Sequence, residues 1–216
     1  MMNTGIAATV NPYAGLHPVT ASPAEMEAVR RATEAAIREA PYYVERYGER
    51  AALFGGSDGG WLVTLCDGDS DYIERQVLWL GRVLSARGVP RILLQRYLRL
   101  LHDEMAASVP QAAARCTALL HAGAVLAAQQ RRYIPDLDAQ ALARGFEQHA
   151  DEATLARLPW MGRILVGAVA DEAGGIPGAT ASVAEWAADP ARFPDRWITA
   201  VQTTVAEARA RVRRAG

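Results

Sequence analysis

Residues 70–107 read SDYIERQVLWLGRVLSARGVPRILLQRYLRLLHDEMAA, and their spacing decides the fold class. Ile73, Val77, Leu80 and Leu84 recur at intervals that place side chains on one face of a helix. Arg87-Gly88-Val89-Pro90 closes that run, with a glycine past the helix end and a proline opening the next helix. Leu94, Leu98, Leu101 and Met105 mark the inward face of a second helix. Ser108-Val109-Pro110 restarts the chain, and a third helix follows to about Arg132. Its apolar face holds Cys116, Leu119, Leu120, Gly123, Leu126 and Ala127. Links this short make successive helices antiparallel neighbours, so an antiparallel three-helix scaffold is expected.

Helical signals continue on both sides. Ser22-Pro23-Ala24-Glu25 is a capping box, followed by the stripe Met26, Val29, Thr33 and Ile37, which Pro41 ends. Pro41–Phe54 keeps a helical pattern, with Tyr43, Tyr47 and Phe54 at spacings of four and seven. The run Gly55–Gly60 is expected to break that helix, with Ser57 or Asp58 capping a short helix Gly60–Cys66. Downstream, Asp136 or Asp138 is expected to cap a helix carrying Leu142 and Phe146. Pro159 should kink or split a helix spanning about residues 152–169. Ser182–Glu185 reads as a second capping box. The last helix should start at Asp195 and carry Trp197, Val201, Val205, Ala208 and Val212. Trp61–Cys66 is the one β-like run. The expectation is an all-α chain of eight or nine helices. Residues 1–21 form a flexible N-terminal arm, 22–173 the main helical domain, and 174–216 a C-terminal loop and helices packed on it.

Composition narrows the function classes. The chain has 216 residues, half of them apolar, enough to bury a sizeable core. Its net charge of −1 argues against a nucleic-acid partner. All 23 basic residues are arginine, so neither a Schiff-base lysine nor a lysine-dependent phosphate loop is available. Cys66 and Cys116 stand fifty positions apart and make no metal-type pair, which suits reduced thiols in a cytoplasmic chain. The N-terminus lacks the pattern of a secretory signal, and no apolar run reaches the length of a membrane span. A cytoplasmic location without membrane contact is expected.

Catalytic motifs are scarce. Paired Glu-x-x-His, His-Glu-x-x-His and Gly-x-Ser-x-Gly do not occur. Asp67, Asp69 and Asp71 alternate like a calcium loop, but the twelfth position from Asp67 is Leu78, so a capped helix start explains them better. His121, among small neighbours, reads as a buried structural histidine.

His102 is the most informative single residue. It flanks the apolar face of its helix, and Pro110 and a long packing helix follow. This order resembles the proximal-histidine region of globins. The resemblance implies His102 as an iron ligand of haem or another tetrapyrrole, with Tyr43, Tyr47 and Phe54 as covering aromatics and Trp61 beside them. The alternative for His102 is a hydrogen-bonded place at a helix interface. The functional expectation is a non-catalytic, cytoplasmic, all-α sensor or regulatory domain with an apolar ligand pocket. Two other readings stand beside it. One is an interaction module, a homodimer joined through Trp197, Val201, Val205 and Val212. The other is a helical enzyme in which Arg46 or Arg50, glutamates and tyrosines converge.

Overall fold

The computed structural model describes residues 4–215 and is all-α, as read from the sequence. Among the described residues there are twelve α-helices and one two-stranded sheet. The excess over the expected eight or nine comes from short pieces: α2 (Tyr42–Tyr47), α6 (Pro110–Arg115) and α9 (Glu152–Arg157) are six residues each. The chain folds into two compact units. The first takes the residues up to Leu78 and Gln95–Ala124; the second takes Trp79–Leu94 and the residues from Val125 onward. Helices α4 (Ser70–Ala86), α5 (Arg91–Ser108) and α7 (Thr117–Arg131) contribute residues to both.

In the first unit, α1 (Pro23–Glu39) begins at Ser22, whose hydroxyl accepts from the Glu25 amide. Its buried face is mostly alanine: Ala28, Ala32 and Ala36 join Val29 and Thr33. Small residues bring α1 close to α3 (Arg50–Leu65), which runs unbroken through all four glycines of Gly55–Gly60. The expected break is therefore corrected, and Trp61–Cys66 is the end of this helix rather than a separate one. The reason is tertiary. A Cβ on Gly59 would lie 2.6 Å from Val29 Cγ1, and one on Gly55 would meet Thr33. Gly60 and Gly56 turn the next face of α3 toward Val19 and Val10. Contact with α1 and the N-terminal segment thus overrides the low helix propensity of glycine. The real interruption lies earlier. Gly48, at φ 59°, separates α2 from α3 within the stretch expected to be continuous.

The stretch expected as a loose arm is structured over its described part; residues 1–3 lie outside it. β1 (Thr4–Ile6) pairs antiparallel with β2 (Pro18–Thr20), Thr4 opposite Thr20. Between them a 3-10 turn, Ala7–Thr9, leads to Asn11. Asn11 is fully buried and its amide donates to the Ser57 hydroxyl at 3.2 Å.

A second correction concerns the cysteines. Cys66 and Cys116 are joined by a disulfide, with Cα atoms 4.9 Å apart. Cys116 lies where the expected long third helix is divided into α6 and α7. Sequence spacing could not show that α3 ends beside this junction. The argument for a cytoplasmic location from reduced thiols falls with it. No helix among the described residues is long and apolar enough to cross a membrane.

The second unit is built on α10 (Met161–Ala173), whose residues from Ile164 to Asp171 are all buried. Pro159 separates it from α9, as expected. Around α10 pack α8 (Asp136–His149), α11 (Ala179–Ala187) and α12 (Asp195–Ala215). Ser182 falls inside α11, which starts after Gly178 at φ 75°; it caps nothing. Trp197 is the centre of an aromatic knot. It meets Phe146 edge-on at 4.9 Å, stacks on Phe193 at 5.7 Å, and donates its indole N–H to the Ala187 carbonyl. Trp197, Val201 and Val205 are therefore buried within this unit, which removes them as an exposed dimer seam.

The same unit holds a buried polar cluster. Asp171 Oδ2 accepts from the Ser85 hydroxyl at 2.7 Å and from the Arg91 backbone N–H at 2.8 Å. Its Oδ1 accepts from Arg91 Nε and Gln130 Nε2, both at 2.6 Å. Four donors satisfy a carboxylate that has no contact with water, the condition under which a buried charge is tolerated. The Arg91 N–H belongs to the first residue of α5, so Asp171 also serves as the cap of that helix.

Candidate functional site

The ligand-pocket residues expected from the sequence all lie in the first unit. Tyr43 and Tyr47 project from α2 and act on one another electrostatically. Burial pushes the Tyr43 phenol far above its ordinary pKa, and Tyr47, Asp58 and Tyr97 add to that. Two tyrosines stood outside the expected ligand-binding set. Tyr42, not Tyr43, is the most buried residue of α2, and Arg46 donates to its hydroxyl at 2.5 Å. Tyr97, on α5, donates to the Gly55 carbonyl at 3.0 Å and meets the Thr33 hydroxyl at 3.3 Å. Burial also raises the pKa of Tyr42 and Tyr97, so these phenols stay protonated as donors. The missed signal for Tyr97 was its one-step offset from Leu98 on the apolar face.

The remaining candidates are engaged elsewhere. Trp61 meets His17 edge-on, with ring centroids 6.3 Å apart. Phe54 is 38% exposed. The side chain of His102 is 21% exposed, and its Nδ1 lies 3.7 Å from Asp103 Oδ1. His121 is not buried: its side chain is 71% exposed, with Glu74 3.6 Å away. Of the charges expected to converge, Arg46 lies over the Tyr42 and Tyr47 rings at 5.7 and 5.2 Å, whereas Arg50 stacks on Tyr13 at 4.5 Å. Glu45 and Glu49 face solvent. No group of three or more metal-ligating side chains occurs among the described residues.

A cleft that sequence reasoning did not find opens where β2, the start of α1 and the end of α3 come together. Its volume is about 350 Å³. Thr4, Thr20, Ser22 and Thr64 supply hydroxyls, Val63 and Pro23 apolar surface, and Glu25, Asp67 and Arg115 the charges. Each arrives for a local reason. Glu25 stands in the first turn of α1, where its carboxylate suits the positive end of the helix. It does not reach back to close the capping box. One of its oxygens accepts from the Thr20 hydroxyl and the other from Arg115 Nη2 at 3.0 Å. Asp67 follows the last turn of α3 and accepts from Arg115 Nη1. Arg115 is thus held between two carboxylates, leaving the trio with an excess negative charge. The N-terminal segment supplies one wall, so the cleft depends on residues that show no periodicity.

No family model matches this chain, and neither a curated protein nor a solved structure matches it.

Proposed function

We propose that this chain is a small-ligand-binding protein of the sensor or regulatory kind, with its ligand seated in the Thr20–Glu25–Asp67–Arg115 cleft. The observation that carries this reading is the cleft itself. About 350 Å³ is the size of a small-molecule site. Hydroxyls and paired charges line it. The net charge of two carboxylates against one guanidinium selects a ligand that brings a positive charge or several hydrogen-bond donors. Compact amines fit this description and dicarboxylates do not.

Calorimetric titration at low ionic strength tests it, with 1,4-diaminobutane and succinate as probes. The diamine is expected to bind with saturation and succinate not to bind, and Asp67→Asn should weaken the diamine. Saturable succinate binding, or no binding of the diamine, overturns the reading.

Haem held by His102 is the second reading. It is favoured by a half-buried imidazole on α5 with Asp103 Oδ1 3.7 Å from its Nδ1, in ion-pair range but beyond hydrogen-bond reach. Haem added to the purified chain would then give a Soret band that shifts in His102→Ala, and the absence of a band removes this reading.

A further inference from the structure

We propose that the Cys66–Cys116 disulfide gates the cleft: the oxidised chain binds ligand, and reduction releases the wall formed by Asp67 and Arg115. This rests on the cleft being the ligand site. The two charged wall residues are chain neighbours of the two cysteines. Asp67 follows Cys66, and Arg115 precedes Cys116. The bond ties the C-terminal end of α3 to the junction of α6 and α7, across fifty positions of chain.

Without that bond, little fixes Arg115 in place. Its ion pairs to Glu25 and Asp67 are partly exposed, and such pairs hold a side chain only weakly. Helix α6 has six residues and no side-chain cap, and it anchors itself through Ala112 and Ala113. A helix so short does not hold its own shape. Reduction therefore leaves α6 and Arg115 free to depart from Glu25. Glu25 and Asp67, left without the cation that separates them, then repel, so the end of α3 that carries Asp67 withdraws and the diamine loses its paired acceptors.

The chemistry balances with a small dithiol as reductant. Its thiolate attacks one protein sulfur, and the other leaves as a thiolate that takes a proton. The second thiol of the reagent resolves the mixed disulfide. Two electrons and two protons pass to the protein, and the reagent becomes a cyclic disulfide. Both cysteines are buried, so attack requires a transient local opening that exposes one sulfur.

The test uses the full chain and 1,4-diaminobutane. Affinity is measured on the oxidised protein, after dithiol treatment verified by thiol titration, and on Cys66→Ser/Cys116→Ser. Reduction should weaken binding about tenfold, the order of a typical coupling between sites. The double variant should bind like the reduced chain and ignore the dithiol. Linkage demands the reverse effect: saturating diamine should lower the reduction midpoint of the disulfide by about 30 mV, the equivalent of tenfold for two electrons. Equal affinity of oxidised and reduced protein overturns the gate while sparing the cleft. Loss of the helical circular-dichroism signal on reduction also overturns it, because the bond is then a staple for the fold. Failure of both forms to bind the diamine removes the cleft reading and the gate with it.

Discussion

Replacing Gly59 by alanine sets helix propensity against packing at one atom. In an ordinary helix interior the change stabilises by about 0.5–1 kcal/mol, since alanine loses less conformational freedom than glycine. Position 59 is not ordinary. The added Cβ would lie 2.6 Å from Val29 Cγ1 and closer still to Tyr97 Oη. Neither neighbour is free to retreat. Val29 is fully buried on α1, and Tyr97 is pinned by its hydrogen bond to the Gly55 carbonyl. Overpacking of this kind costs about 1–3 kcal/mol. Displacing the Tyr97 hydroxyl forfeits a hydrogen bond worth about 0.5–1.5 kcal/mol. The net expectation for Gly59→Ala is a loss of about 0.5–4 kcal/mol after the propensity gain is subtracted. Gly145, inside α8 with nothing within 4 Å of its Cβ position, is the control. Gly145→Ala should stabilise by about 0.5–1 kcal/mol. Urea denaturation followed by circular dichroism measures both, provided the slope stays constant between variants. Removing the clashing oxygen in Gly59→Ala/Tyr97→Phe should recover part of the loss. If Gly59→Ala stabilises the chain as Gly145→Ala does, the close approach of α3 to α1 is wrong.

Two further expectations concern charge. Asp171→Ala strips the buried Arg91 of its partner and uncaps α5, and should cost about 3–5 kcal/mol in the same assay, whereas a loss below about 1 kcal/mol would show that water reaches the pair. Asp151 caps α9, and hydrogen bonds from the Thr154 hydroxyl and amide hold its pKa below the usual carboxylate value. A group with a depressed folded pKa contributes stability above its unfolded pKa, near about 4, and loses it as pH falls through the folded value. Asp151→Asn keeps a capping oxygen but cannot titrate, so it should flatten the acid limb of stability against pH; an unchanged limb would place the cap elsewhere.

Local periodicity made part of this fold legible. Ile73, Val77 and Leu80 on α4, and Leu94, Leu98, Leu101 and Met105 on α5, are buried as their spacing demands. Ser22 caps α1 and Pro159 divides α9 from α10, because caps and prolines act within one turn of themselves. What escaped the sequence is set by partners far away. Glycine reads as a breaker, yet the four-residue spacing of Gly55 and Gly59 makes a smooth helix face once Thr33, Val29 and Tyr97 lie against it. The cysteine pair, the Tyr97 hydroxyl contacts and the Arg91–Asp171 pair each join residues more than forty positions apart. The cleft was least visible of all, since strand β2 and the ends of α1 and α3 build it, and the one motif among them, the Ser22–Glu25 capping box, signals a helix start rather than a binding site.

The capping of α5 by Asp171 has a consequence for synthesis on the ribosome. Arg91 precedes its carboxylate by 80 residues, so over that span of translation the arginine exists without the group that neutralises it. Until Asp171 emerges, burial of Arg91 would strand a charge, and the segment around it must stay hydrated. The second unit therefore has a built-in delay: its core can close only when α10 arrives. A stop codon between Gln130 and Asp171 should leave a product that never completes the unit and exposes the apolar faces that α10 covers.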